Sequence, residues 1–327
     1  MMEDQGWEPE PQDLKLTEAA SAIPFIERYG ISPPLFGFLS LLAVFVTYQI
    51  IGGVLTYLFF GMKPVEGQAT AYRIATALGE LLLILVPTLM LVRFATFSPR
   101  PFLRLRIPDI RTLLVPLVGV FALQEMLQVY LVFQERIPLP EPLQKISEEF
   151  KQLFEEAYKL LASSNSVPEL LWVIVVIALI PAVAEEFLFR GLVQRCFEKG
   201  LGPAWAIALT GIIFGVYHVN PFSFVPLAVI GMYLGFLAYR SNSLWTSVAA
   251  HFYNNAFACV ATFFHMDEDS LIVGNPEKLS PGFLLAVFWF FGVVFLLATY
   301  YFLRFTARSE KSHAGGDNGD ESSSEGH

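Results

Sequence analysis

The stretch PAVAEEFLFRGL, Pro181 to Leu192, closes a run that carries no charge from Leu170 to Ile180 with two adjacent glutamates and an arginine. On insertion scales each charge near the centre of a membrane helix costs about 2.5–3.5 kcal/mol. Three such charges within six residues point to use. On a helix Glu186 and Arg190 stand four apart on one face and can pair. Glu185 lies about 100° around the cylinder and cannot share that arginine equally. One carboxylate is therefore a structural ion pair. The other, in low dielectric beside a second carboxylate, is the candidate acid/base. Pro181 cannot donate its backbone bond, so the helix bends just before the glutamates and opens room for hydrated polar groups. The bland alternative is a helix end at the cytoplasmic interface, its charges reaching water.

Two further clusters change that balance. FGVYH sets His218 four residues after Phe214, and HFYNN sets His251 and Asn255 at i,i+4 on one face. Of the five histidines, His313 and His327 lie in the C-terminal tail and His265 at the outer end of a span. A lone membrane histidine more often bonds a neighbouring helix than catalyses. Two histidines, an i,i+4 asparagine and a spare carboxylate on three helices are harder to assign to helix contacts alone. Counted from the expected inner helix ends, Glu185 and His251 lie about 12 Å deep, and His218 and Asn255 about 16–22 Å. Tilt or a longer fourth helix closes that gap.

Neither serine nor cysteine stands in a recognisable nucleophile setting. Ser247, one turn before His251, reads as packing, and Cys196 and Cys259 read as small apolar residues outside any CxxC pattern. Glu185, His218, His251 and, as a fourth, Asn255 offer oxygen and nitrogen donors that zinc would accept with an open position. However, H-E-x-x-H is absent and asparagine is an unusual ligand, so water activation without metal is the expectation and zinc the alternative. Glu80 in the second span and Gln124, Glu125 and Gln128 in the third read as interhelical hydrogen bonding, with contact to a substrate backbone as the sharper alternative.

The elements that must hold these groups are membrane helices. The chain has 327 residues, 54% hydrophobic and only 16% charged, with mean hydropathy +0.53. Soluble domains carry about 25% charged residues, so an all-α polytopic bundle is expected. The net charge of −9 argues against a nucleic-acid partner. At about 20 apolar residues per crossing, eight spans emerge: 35–61, 74–92, 113–133, 170–193, 204–219, 222–238, 244–264 and 283–305. The fifth and sixth, separated by Asn220–Pro221, form a tight hairpin. Lys and Arg gather on one side, which places both termini in the cytoplasm. Around the 34–308 bundle lie a polar N-terminal segment, 1–33, without a cleavable signal, and an acidic, Gly/Ser-rich tail, 309–327, expected to be disordered. Residues 143–161 alternate at three and four, giving an amphipathic helix that either lies in the membrane interface or packs on the bundle's outer ends.

EEFLFR, FGVYH and HFYNN, in this order on successive hydrophobic helices, resemble the motifs E-E-x-x-x-R, F-x-x-x-H and H-x-x-x-N of the CAAX-protease and bacteriocin-processing family. This family of intramembrane proteases, also called ABI, includes the Ras-converting endopeptidases. The resemblance covers about 170–264. It implies an eight-helix enzyme that cuts a peptide bond inside the bilayer, with a membrane-associated or lipid-anchored peptide as partner. By the same resemblance Glu185 and His218 activate water, His251 and Asn255 hold the oxyanion, and Glu186, Arg190 and Phe214 support them. A bacterial plasma membrane is the expected location. Two other readings stay open: a proton-coupled carrier, since membrane Glu and His also build relays, and a non-catalytic scaffold. The carrier would show internal repeats, and none is visible.

Overall fold

The computed structural model describes residues 23–61, 66–138, 140–266 and 279–316; of those beyond 307 the backbone alone is described. All regular structure among them is helical. Nine helices form the bundle: α1 Pro33–Phe60, α2 Ala69–Ala95, α3 Ile110–Glu135, α4 Glu141–Ala162, α5 Val167–Leu201, α6 Pro203–Tyr217, α7 Phe224–Ser241, α8 Leu244–Phe263 and α9, which starts at Pro281. Six of them (α1, α2, α3, α5, α7 and α9) are long and apolar enough to cross a bilayer, which makes this an integral, multi-pass membrane protein.

The expected count of about eight is not confirmed among the described residues. The fifth stretch yields α6, a 15-residue helix only about 22 Å long, short of the roughly 30 Å hydrocarbon core. The seventh yields α8, 20 residues long, whose Thr246, Ser247, His251, Asn254 and Asn255 dilute its hydropathy. Two boundaries also move. The fourth helix runs on to Leu201 rather than Val193, and α9 continues as helix to Gly316, past the expected tail boundary. After Gly292 no proline or glycine interrupts α9 until Gly315–Gly316, where glycine ends helices. The rest of the expected disordered tail, 317–327, the polar segment 1–22 and the acidic 267–269 lie outside the described residues. Within 23–33 the chain is docked, since Ile26 is buried against Val92, Ala95 and Phe102.

The amphipathic helix α4 divides its length. Its C-terminal end is pinned by the buried Arg73 of α2, which donates to the carbonyls of Leu160, Leu161 and Ser163 and pairs with Glu169 at 2.8 Å. Those carbonyls are the orphan acceptors that any helix end leaves, met here by a guanidinium. Leu143, Ile146 and Phe150 on the N-terminal half remain exposed.

Helices α6 and α7 form the tight hairpin. Asn220 Oδ1 accepts from the backbone N–H of Phe222 and Ser223, the side-chain turn that asparagine supplies. The two helices touch backbone to backbone. A Cβ on Gly231 would lie 3.1 Å from Gly211 Cα, and one on Gly215 would lie 2.8 Å from the Phe224 carbonyl. Gly211 and Gly215 are a small-xxx-small pair, the spacing that lets membrane helices pack this closely.

Candidate active site

Helix α5 carries both glutamates between two widened π turns, Ile174–Leu179 and Phe187–Val193. Pro181 removes the N–H that would bond the carbonyl of Ile177, four residues earlier. That carbonyl is taken instead by Asn255 Nδ2 of α8, at 3.4 Å. A proline that disrupts a membrane helix needs such a substitute donor. Asn255 is in this way tied to the helix that holds the glutamates.

Glu186 and Arg190 are wholly enclosed. Arg190 Nη1 lies 2.5 Å from Glu186 Oε1, and Nη2 donates to the Gly231 carbonyl of α7 at 2.8 Å. The guanidinium also stands 4.6 Å over the Phe214 ring, a favourable seat for a cation. Glu186 Oε1 accepts a second hydrogen bond, from His251 Nδ1 at 3.1 Å. A carboxylate only accepts, so Nδ1 of His251 carries hydrogen and Nε2 is directed elsewhere.

Glu185 takes no part in that pair. Its Oε2 lies 3.9 Å from His218 Nε2 and 4.0 Å from His251 Nε2, beyond hydrogen-bond length but within reach of one bridging atom. His218 ends α6, and its Nδ1 is 2.7 Å from the Phe214 carbonyl. A carbonyl also only accepts, so Nδ1 is the protonated nitrogen and the Nε2 lone pair faces Glu185 in the neutral ring. Phe214 therefore serves the site with its ring, under Arg190 and against the His218 and His251 rings, and with its carbonyl on His218. Gln49 of α1 secures the same helix end by donating to the Tyr217 carbonyl at 2.8 Å.

The depth gap expected between Glu185 and His218 closes because α5 is longer than anticipated. With its end at Leu201, Glu185 is about 24 Å from that end, and His218 about 22 Å from the start of α6. The structure brings Glu185, Glu186, Arg190, Phe214, His218 and His251 together, with Asn255 bonded at Ile177. Ser247 is buried and bonds the Leu244 carbonyl, and Cys196 and Cys259 are buried and unpaired. Sequence reasoning missed Gln49, Tyr48 and Tyr217, aromatic or amide residues in apolar helices that carry no spacing signal.

As zinc ligands Glu185, His218 and His251 are right in kind. Bonds of about 2.1 Å in a tetrahedron require donors about 3.4 Å apart. The separations here are 3.9 and 4.0 Å, and no His/Cys/Asp/Glu group among the described residues has metal-binding geometry. As arranged, the donors do not fit zinc.

Residues 167–257 match the family model described as Rce1-like, type II CAAX prenyl endopeptidase. Glu185, Glu186, Arg190, Phe214, His218, His251 and Asn255 all fall inside the match, so the kinship expected from the three motifs is shown for this segment. The uncharacterized protein YpbD of Bacillus subtilis (strain 168) is 32% identical over 130 residues, which are 38% of this chain. The chain covers 62% of that protein's length. No solved structure matches the chain.

Proposed function

We propose that this chain is an intramembrane endopeptidase that hydrolyses a peptide bond in a membrane-associated or lipid-anchored, CAAX-like substrate. The family domain over 167–257 supports a protease. The observation that carries the reading is one carboxylate oxygen, Glu185 Oε2, facing two imidazole Nε2 atoms while the neighbouring Glu186 is already paired. A water between Glu185 and His218 gives a hydrogen bond to each, since both present lone pairs. As its oxygen attacks the carbonyl, its proton passes to Glu185. Glu185 then delivers that proton to the leaving amine, so the cycle returns to its start.

The oxyanion falls to His251 and Asn255. With Nδ1–H committed to Glu186, a proton on His251 Nε2 makes the ring a cation directed at the developing charge. The Asn255 amide has two N–H groups, so bonding Ile177 leaves one for the oxyanion. Asn255→Ala should lower kcat about 100- to 1000-fold; a folded variant with near-normal kcat would remove it from this role. Both termini belong to the cytoplasm and the bilayer to a bacterial plasma membrane in this proposal.

The apolar cleft of about 720 Å³ between α1 and α2, with Tyr48, Gly52 and Gly79 in its wall, suits the hydrocarbon part of such a substrate. The test is cleavage of quenched-fluorescent peptides, with and without a lipid anchor, by purified protein with and without a zinc chelator. Cleavage of anchored peptides that survives the chelator supports the proposal. Activity lost with chelator and restored by zinc would turn Glu185 and the histidines into metal ligands, and failure to cut any peptide would favour a scaffold.

A further inference from the structure

An asparagine can serve an oxyanion only the right way round. Its side chain ends in a carbonyl oxygen and an NH2 group on one torsion that is broad and roughly two-fold. Turned over, Asn255 would present lone pairs to the developing charge and repel it. Which way the amide stands is set by the partners of its two ends. One hold is the Ile177 carbonyl of α5, which accepts from Asn255 Nδ2 at 3.4 Å. Such bonds usually measure about 2.7–3.2 Å, so this contact alone is a weak hold. The second hold comes from the preceding residue, where Asn254 Nδ2 donates to Asn255 Oδ1 at 3.2 Å. The two contacts grip opposite ends of one amide and demand the same orientation, with the second N–H of Asn255 left over.

Packing gives Asn254 little reason to be polar. Its side-chain hydrogen bond among the described residues goes to the next residue of its own helix, so it ties no two helices together. Its Oδ1 is buried and accepts no hydrogen bond there. An unmatched amide oxygen inside the bundle is costly, and an apolar side chain of the same size would avoid that cost. Asn254 stands beside the H-x-x-x-N spacing of His251 and Asn255, not in it. What its amide does supply is the donor for Asn255 Oδ1.

We infer that Asn254 is a positioning residue that holds the Asn255 amide in the orientation that leaves an N–H for the oxyanion, and that it acts on the reaction through Asn255 alone. This rests on the proteolytic reading and on the oxyanion role of Asn255. Asn254 transfers no proton and touches no reacting atom. The oxyanion exists only once water has attacked, so the hold bears on kcat and leaves substrate binding unchanged.

A double-mutant cycle tests this. The kcat, KM and melting temperature are measured for wild type, N254L, N255A and N254L/N255A on a lipid-anchored fluorogenic peptide that the wild type cleaves. Leucine keeps the size of Asn254 and removes the donor. N254L should lower kcat about three- to tenfold at unchanged KM, the scale of one neutral hydrogen bond. N254Q, which keeps an amide donor, should restore most of that loss. In the N255A background N254L should cost nothing further. Equal losses in both backgrounds overturn the inference, because Asn254 would then act without Asn255. N254L with wild-type kcat overturns it too, as does a lowered melting temperature with kcat unchanged, the mark of a merely structural role. If N254L does not fold, N254A takes its place in the same cycle. A wild type that cuts no peptide overturns the proteolytic reading and this inference together, and N255A with near-normal kcat removes the oxyanion role and this inference with it. An active wild type that N255A cripples, beside an N254L loss equal in both backgrounds, overturns this inference alone.

Discussion

Glu185→Gln should remove about 100- to 10,000-fold from kcat while the bundle keeps its melting temperature. The range is that of a positioned general acid/base, and Glu185 is proposed to serve twice, toward water and toward the leaving amine. Glutamine preserves size and loses only the ability to take the proton. The fold has little to lose, because among the described residues Glu185 holds no ion pair with lysine or arginine and the two imidazoles stand 3.9 and 4.0 Å away. Removing a charge from a confined site beside Glu186 can even stabilise the helix packing. The check is kcat on a cleavable anchored peptide together with a thermal melt in the same detergent. A folded glutamine variant with wild-type kcat would contradict the assignment, and a collapsed melt would mean that Glu185 is structural.

The neighbouring pair should behave in the opposite way. Arg190→Ala should cost about 3–5 kcal/mol of stability, the range for breaking one side of a buried ion pair. Three contacts go at once: the 2.5 Å bond to Glu186, the bond to the Gly231 carbonyl that ties α5 to α7, and the seat on the Phe214 ring. Glu186 would be left enclosed with His251 and Ser247 as its polar partners and no cation beside it. Activity should fall as well, since Glu186 orients His251. Glu186→Gln combined with Arg190→Met should be less damaging to the melt than Arg190→Ala alone, because no uncompensated charge remains. Equal melting temperatures for Arg190→Ala and wild type would refute the structural role of the pair.

These two behaviours separate adjacent residues, and that separation is legible in EEFLFR because it is local. Helical periodicity alone gives Glu186 to Arg190 and leaves Glu185 facing elsewhere. The same holds for the Asn220–Pro221 hairpin, the amphipathic α4 and the four-residue spacing of Phe214 and His218. What could not be read is what crosses the bundle. Gln49 reaches Tyr217 across 168 positions, and Tyr48 reaches Glu80 across 32. No spacing rule links such residues, because their pairing is set by which helices pack. Asn255 is an intermediate case: Pro181 announces a carbonyl at Ile177 that needs a donor, yet only the packing of α8 on α5 shows which side chain supplies it. The two expected spans that fall outside the six have a physical reason too, since α6 is short and α8 is diluted by polar groups of the site.

The central claim is that water attacks the peptide directly, activated at Glu185. Its most direct test is a single turnover of an anchored peptide by excess purified enzyme in oxygen-18 water, quenched at short times and read by intact mass of both enzyme and products. The account predicts one oxygen-18 in the newly formed carboxylate and, at every time, an enzyme of unmodified mass. A peptide covalently attached to the enzyme would contradict it, as would products whose new carboxylate carries no solvent oxygen.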